Sequence, residues 1–393
     1  INYFFFVLLF ILESMDYKAC ISSKKELYNS LINFIENDGK NDNKNLFQEI
    51  INIIQKQKIL ETSEESKILL QLIFTISVNH RRVPIFIDQL IQILQYVTEN
   101  IKPSIPSTEL FNIFQQDKLL LYYLFKTNII QVNDIIVNTI VQEMDNLPTR
   151  YLHFFYPHIK DHLESKLKED IEKRLFESCA YNFSEFESKC QQGENDSFLC
   201  ELIRNDNIDE FVTYATKNNL SLSSQISSSL FETNRFLVDK NPTLIEYAAF
   251  FGSIQIFNFL RMNYVEVSGS LWLYAIHGNC ADVIHLLEQI SVRPESYKKC
   301  FEEAVKCHHN GIAGYILDNL LNEEDVGFEK DCLSFYFSYF NFHFFPDEYD
   351  NEFIIYCACK YDRTALFKML LKDKRNYMNC KKTNKKSFVR ISK

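Results

Sequence analysis

The stretch Thr243 to Leu260, TLIEYAAFFGSIQIFNFL, constrains the fold of this chain more than any other, because it spells two short helices around a glycine turn. Ala248 and Ala249 are small enough for two helices to approach closely, and Gly252 supplies a turn position open to positive φ. Ile254, Ile256, Phe257, Phe259 and Leu260 then make a second, apolar helix. A unit of this size cannot bury its own apolar face, so it requires neighbours built the same way.

Such neighbours are present. The segment from Gly269 to Leu287 keeps Leu271, Ala275, Gly278, Val283 and Ile284, with one extra residue after a glycine that lies 26 residues beyond Gly252. A third unit carries Ala304, puts Cys307 in the glycine slot 29 residues further on, and continues through Ile312, Ala313, Tyr315 and Ile316. Upstream, LCELIRNDNIDEFVTYA places Asp206 in that slot, followed by Ile208, Phe211 and Val212. Downstream, Tyr361 occupies it, with Ala358 before it. The 54 residues between Cys307 and Tyr361 leave room for about two short repeats, which makes the aromatic run Leu333 to Phe345 a decayed unit.

The order Thr243, Ile245, Ala248, Ala249, Gly252 resembles the ankyrin repeat, with Leu244 and Glu246 where that family has Pro and His. The periods are shorter than the usual ~33 residues, which predicts clipped fingers between helix pairs, and armadillo or tetratricopeptide arrays have longer repeats still. The strings FETNRFL, PTLIEYAAFFGSIQIF, SLWLYAIHGN and KCHHN are also similar to a family of protist ankyrin proteins. In that family a domain of unknown function precedes and overlaps the repeats, and the likeness covers about Met15 to Leu371. The resemblance implies an all-α fold: a helical N-terminal region (15–185), then an ankyrin-type α-solenoid of five or six short, degenerate repeats (197–371). It also implies a binding module that uses a preformed concave surface, with contacts at variable first-helix positions just before each turn and on the fingers. In this register those positions are Arg204, Asn205, Tyr247, Phe250, Phe251, Ile276, His277, Val305, Lys306, Tyr356 and Lys360, whose aromatic and Arg content suits a protein partner. Partial covering of a neighbouring finger by Phe250 and Phe251 is an equal alternative. Trp272 reads as a core or inter-repeat residue.

The region before the repeats shows helical spacing at Leu46 to Ile54, Ile68 to Ile76, Phe86 to Val97 and Leu110 to Leu124, with Pro103 and Pro106 marking a break and Ser107 or Thr108 placed to cap the next helix. Ile159, Leu163, Leu167, Ile171 and Leu175 form a narrow stripe on one predicted helix, either a solvated flank or a short coiled-coil contact. The serine-rich stretch Ser221 to Ser229 reads as a flexible linker.

Charge is uneven. The net charge is −10, yet the segment from Lys372 to Lys393 holds nine basic residues against Asp373, a solvated tail following an acidic body that argues against nucleic acid along the repeats. The apolar run Tyr3 to Leu12 is too short to span a bilayer and has no preceding Lys or Arg. Met15 reads as the natural start, leaving residues 1–14 as an extension. A second reading joins this run and the basic tail into a membrane-associated protein.

Eleven cysteines without a regular framework fit free thiols in a reducing compartment, cytosol or nucleus. Cys300, Cys307, His308 and His309 are the nearest approach to a metal-ligand cluster, but neighbours on one turn seldom converge on an ion. The expectation is no metal and no cofactor. Phosphate-cradling glycine loops, nucleophile elbows and kinase signatures are absent from the sequence, and His153 and His158 sit in an aromatic setting typical of packing. The expected function is therefore a non-enzymatic interaction scaffold for an unidentified protein partner, with no small-molecule substrate.

Overall fold

The computed structural model describes residues 17–37, 43–80, 85–102, 104–142, 151–179, 183–321, 328–345, 356–357 and 360. The apolar run 3–12, Met15, the repeat copy around Ala358 and Tyr361, and the basic tail lie outside the described residues. Every regular element among those described is helical, apart from one antiparallel bridge between Gln225 and Thr243, and no helix among them is long and apolar enough to cross a membrane.

The N-terminal part comprises α1 (Tyr17–Glu36), α2 (Asn43–Lys56), α3 (Ser63–Asn79), α4 (Phe86–Asn100), α5 (Ser107–Phe114), α6 (Lys118–Lys126), α7 (Asp134–Gln142), α8 (Tyr151–Ile159), α9 (Ser165–Cys179) and α10 (Phe183–Gln192). Their apolar residues recur at three and four, so each buries one stripe: Ile50, Ile53 and Ile54 in α2, and Leu90, Ile93, Leu94 and Val97 in α4. Asp117 accepts a hydrogen bond from the Leu120 amide and so starts α6, dividing the apolar run from Leu110 to Leu124 into two helices. Ser107 does not cap α5, which starts after Pro106; its hydroxyl accepts from the Gln131 amide instead. The stripe expected on one helix from Ile159 is also divided, because Leu163 is extended (φ −91°, ψ 147°) between α8 and α9. Ile159 and Ile171 are buried in the chain's own core, which removes them from a coiled-coil contact with a second chain.

Helix pairs follow: α11 (Phe198–Arg204) with α12 (Ile208–Lys217), α14 (Leu244–Phe251) with α15 (Ile254–Met262), α16 (Leu271–His277) with α17 (Ala281–Gln289), and α18 (Tyr297–Lys306) with α19 (Asn310–Asn319). Between the first two pairs lies α13 (Arg235–Lys240), and after the last comes α20 (Phe328–Tyr339) with a 3-10 turn at Phe342–Phe344. The first helices α11, α14, α16, α18 and α20 pack side by side in that order, and each second helix returns against its own first helix. Thr243 opens α14 with a reciprocal capping box, its hydroxyl accepting from the Glu246 amide while Glu246 accepts from the Thr243 amide at 2.9 Å. Trp272 is fully buried, donating to the Val292 carbonyl at 2.8 Å.

All five turns share one backbone device. Asp206, Gly252, Asn279, His308 and Phe340 take positive φ, between 48° and 69°. The amide after each reaches back to the first helix: Asn207 to Leu202, Ser253 to Ala248, Cys280 to Ala275, His309 to Ala304 and Asn341 to Tyr336, at 2.8–3.1 Å. This is the bond that closes a helix with a left-handed residue at its end. The left-handed slot in the third and fourth pairs is therefore one residue later than the sequence register placed it, since Gly278 (φ −77°) and Cys307 (φ −80°) are right-handed. Gly278 is required for a different reason, because a Cβ there would fall 1.8 Å from the Phe250 carbonyl oxygen.

A second regularity links each turn to the preceding pair. The residue after the left-handed position donates its side chain to a carbonyl at the end of the previous first helix: Ser253 to Ile203, Cys280 to Phe250 (3.4 Å), His309 Nε2 to His277 (3.1 Å) and Asn341 to Val305 (3.0 Å). Four chemically different side chains thus make equivalent rungs of one ladder.

The serine-rich stretch is pinned in place instead of acting as a loose linker. Ile226 and Leu244 amides bond Pro242 and Ser224 carbonyls, Asn195 donates to the Ser227 carbonyl at 2.8 Å, and Ile226, Leu230 and Phe231 are buried. This anchors the whole insert that carries α13.

Candidate functional site

The sequence register predicts an open face along the ends of the first helices. The structure brings Arg204, Tyr247, Phe250, Phe251 and His277 into one chain of contacts, but Tyr247, Phe250, Ile276, His277 and Val305 are buried, so they are corrected from an open contact surface to interior residues. The reason is α13. Asn234 caps this helix by accepting from the Leu237 amide, and its Phe236 ring lies flat on Phe250 (6.2 Å, 20°) and His277 (4.4 Å, 21°) and edge-on to Tyr274 (5.0 Å, 74°). Lys306 completes this cover from the far side, with its Nζ 6.0 Å from the centre of the Phe236 ring.

Arg204 is half-buried and committed to the fold, bonding the Asn195 carbonyl (2.8 Å) and the Tyr247 hydroxyl (3.0 Å) and pairing with Glu194 (2.8 Å). Phe251 is half-buried against Tyr247 and Phe250. Asn205 is exposed, as are Tyr356 and Lys360, whose ammonium lies 5.8 Å from the Tyr356 ring centre. The signal for the cover was present in FETNRFLVDKN as a capping Asn followed by Phe236 and Leu237, but nothing local says which surface such a short helix will meet.

The N-terminal bundle closes the turns of the later pairs. The Tyr28 hydroxyl on α1 meets His308 Nδ1 at 3.0 Å, the His80 ring lies 4.7 Å from that of His309, and Asn29 meets His343 at 3.1 Å. Burial pushes His308 down to about 3 and His309 well below the usual histidine range, so both imidazoles are neutral.

Beneath Phe236 lies a polar knot. His277 Nδ1 is 2.8 Å from Glu303 Oε1 and 3.3 Å from Cys307 Sγ, while Lys306 bonds both Glu303 oxygens at 3.2 and 3.3 Å. Burial alone would raise the Glu303 carboxyl, but His277 and Lys306 outweigh it and hold it down at about 2. Burial pushes the Cys307 thiol well above its ordinary value. Thiol and carboxylate both address the same imidazole nitrogen, whereas a nucleophile activated through histidine needs one ring nitrogen and its orienting group the other.

One accessible concavity borders this region. A cleft of about 740 Å³ opens between the insert and α5–α6, with Tyr247, Ile226, Asn195 and Ser228 among its walls and Arg235 bonded to Gln116 at 2.7 Å along its edge. Its volume falls within the roughly 300–1,000 Å³ typical of ligand sites. At the end of α15 and on the finger after it, Met262 and Tyr264 are exposed, Tyr264 almost completely. Comparisons with family models, curated proteins and solved structures returned no match, so this geometry carries the functional reading.

Proposed function

We propose that the chain is a non-catalytic, ankyrin-type protein-interaction module that receives a peptide segment of its partner in the cleft between the α13 insert and α5–α6. The observation that carries this reading is the cleft itself, a concavity of about 740 Å³ held between two anchored walls. Its walls offer hydrogen-bonding side chains at Gln115, Gln116, Ser227 and Ser228 beside charged ones at Arg235 and Asp239, a composition suited to an extended peptide. The face first expected to bind serves as an internal joint, and contacts with a partner shift to this cleft and to the neighbouring fingers. The shared His277 nitrogen and the buried, protonated Cys307 support a role without chemistry of its own.

The test is an affinity purification of the full chain beside Ser228→Trp, which fills the cleft from an exposed wall position, and Met262→Ser as a control at the end of α15. A specific partner recovered with the parent chain and with Met262→Ser, but absent with Ser228→Trp at unchanged circular dichroism, is the expected result. An identical partner set from Ser228→Trp removes the cleft from the proposal.

A further inference from the structure

Among the described residues two groups of three side chains gather ligand atoms closely enough for a metal ion: His277, Glu303 and Cys307, and Glu36, His80 and His309. The first closes on itself, with the carboxylate already matched by His277 and by the Lys306 ammonium, whose positive charge opposes a cation. The second is unfinished.

His309 carries the decisive observation. As a rung of the turn ladder its Nε2–H donates to the His277 carbonyl at 3.1 Å, which fixes the tautomer and leaves a lone pair on Nδ1. That Nδ1 is buried and has no hydrogen-bond partner, in a residue buried completely. A histidine whose second nitrogen is tied to a backbone carbonyl is the arrangement that orients a metal ligand. The equivalent rungs Ser253, Cys280 and Asn341 make the same backbone bond without a ring, so the rung itself does not call for a second nitrogen.

The other two ligands arrive from the N-terminal bundle. His80 ends α3, is held flat against Phe86 (5.5 Å, 11°), and presents Nε2 to Glu36 Oε1 at 3.2 Å. Nitrogen and oxygen donors 2.0–2.1 Å from a tetrahedral zinc stand about 3.3 Å apart, so this pair already has the spacing of one tetrahedral edge. One ligand atom from each of the three side chains lies within 4.8 Å of the others, and Glu36, half-exposed at the last turn of α1, can swing on its solvent side.

We propose that Glu36, His80 and His309 bind a zinc-type divalent cation that staples α1 and α3 to the turn between α18 and α19. Two imidazoles and one carboxylate select a borderline metal over calcium or magnesium, and the solvent side of Glu36 leaves the fourth position to water. The ion ties the bundle to the array at the turn where His80 meets His309.

The experiment uses the full chain without a histidine tag, stripped with chelator and titrated with Zn²⁺ in competition with a chromophoric chelator, and separately with Co²⁺. The expected result is one tight site per chain, weakened at least ~10-fold in Glu36→Gln and ~100-fold in His80→Asn and His309→Asn. Its Co²⁺ spectrum should show four-coordinate d–d bands with no thiolate charge-transfer band. Glu36 is half-exposed, so its variant tests the site even where a histidine variant fails to fold. Unchanged affinity in Glu36→Gln and His80→Asn with loss in Cys307→Ser, or a thiolate band, places the ion in the other cluster and overturns the proposal. Absence of a stoichiometric site does so outright.

Discussion

The turn at Gly252 and the turn at His308 have the same backbone and opposite surroundings. Each has a left-handed residue, a returning amide bond to an alanine carbonyl, and a following side chain bonded to the previous pair. At Gly252 nothing beyond the array is needed to explain the residues, because glycine satisfies positive φ and Ser253 is the smallest adequate rung. At His308 the position is taken by an imidazole, one of the few side chains enriched in the left-handed region, and Tyr28 of α1 covers the turn and supplies its hydrogen-bond partner. A repeated backbone therefore sets where turns fall, while the covering element sets which side chains occupy them.

The sharpest way to break the array end of this comparison is at Gly278. Replacing it with Ala drives a methyl into the Phe250 carbonyl, and the expected loss is about 3 kcal/mol, readable as a lower denaturation midpoint. If stability is unchanged, the packing of α14 on α16 is looser than described.

Acid probes the covered end. His308, at about 3, and His158, at about 4, are neutral in the fold because burial disfavours their charged forms, while the unfolded chain titrates them near ~6.5. The unfolded state then binds more protons below that pH. The stabilisation is complete above ~6.5 and is lost as pH falls through the window down to 3–4, by up to ~1.4 kcal/mol per pH unit for each histidine. Denaturation midpoints measured from about pH 7.5 to 4.5 should fall in step, and His308→Asn, which tolerates the left-handed slot, should flatten the slope. A level profile across that range would count against neutral, buried imidazoles.

The smallest effect has the opposite sign. Gly311 is exposed in the first turn of α19, and a methyl added there would project into open space, so Gly311→Ala should gain roughly 0.5–1 kcal/mol in the same denaturation assay.

Much of the repeat pattern was legible because it rests on neighbours in sequence. Ala248, Ala275 and Ala304 supply the carbonyls that accept the returning amides of their turns, and the apolar second helices follow them at helical spacing. The register slipped by one at Gly278 and Cys307 because glycine answers two demands, positive φ and close approach, and a string of letters does not say which applies. The candidate site was less legible. Burial of Phe250 and His277 depends on Phe236 crossing over them, and the meeting of His80 with His309 depends on how a helical bundle docks on an array.

By itself the sequence determined that this chain is helical, where its helix pairs fall and that those pairs repeat, since apolar spacing and turn chemistry act over a few residues. Only the tertiary structure decided which of those surfaces remain open, which histidines meet and where a cleft is left, because burial and hydrogen-bond partnership are settled by groups far apart along the chain.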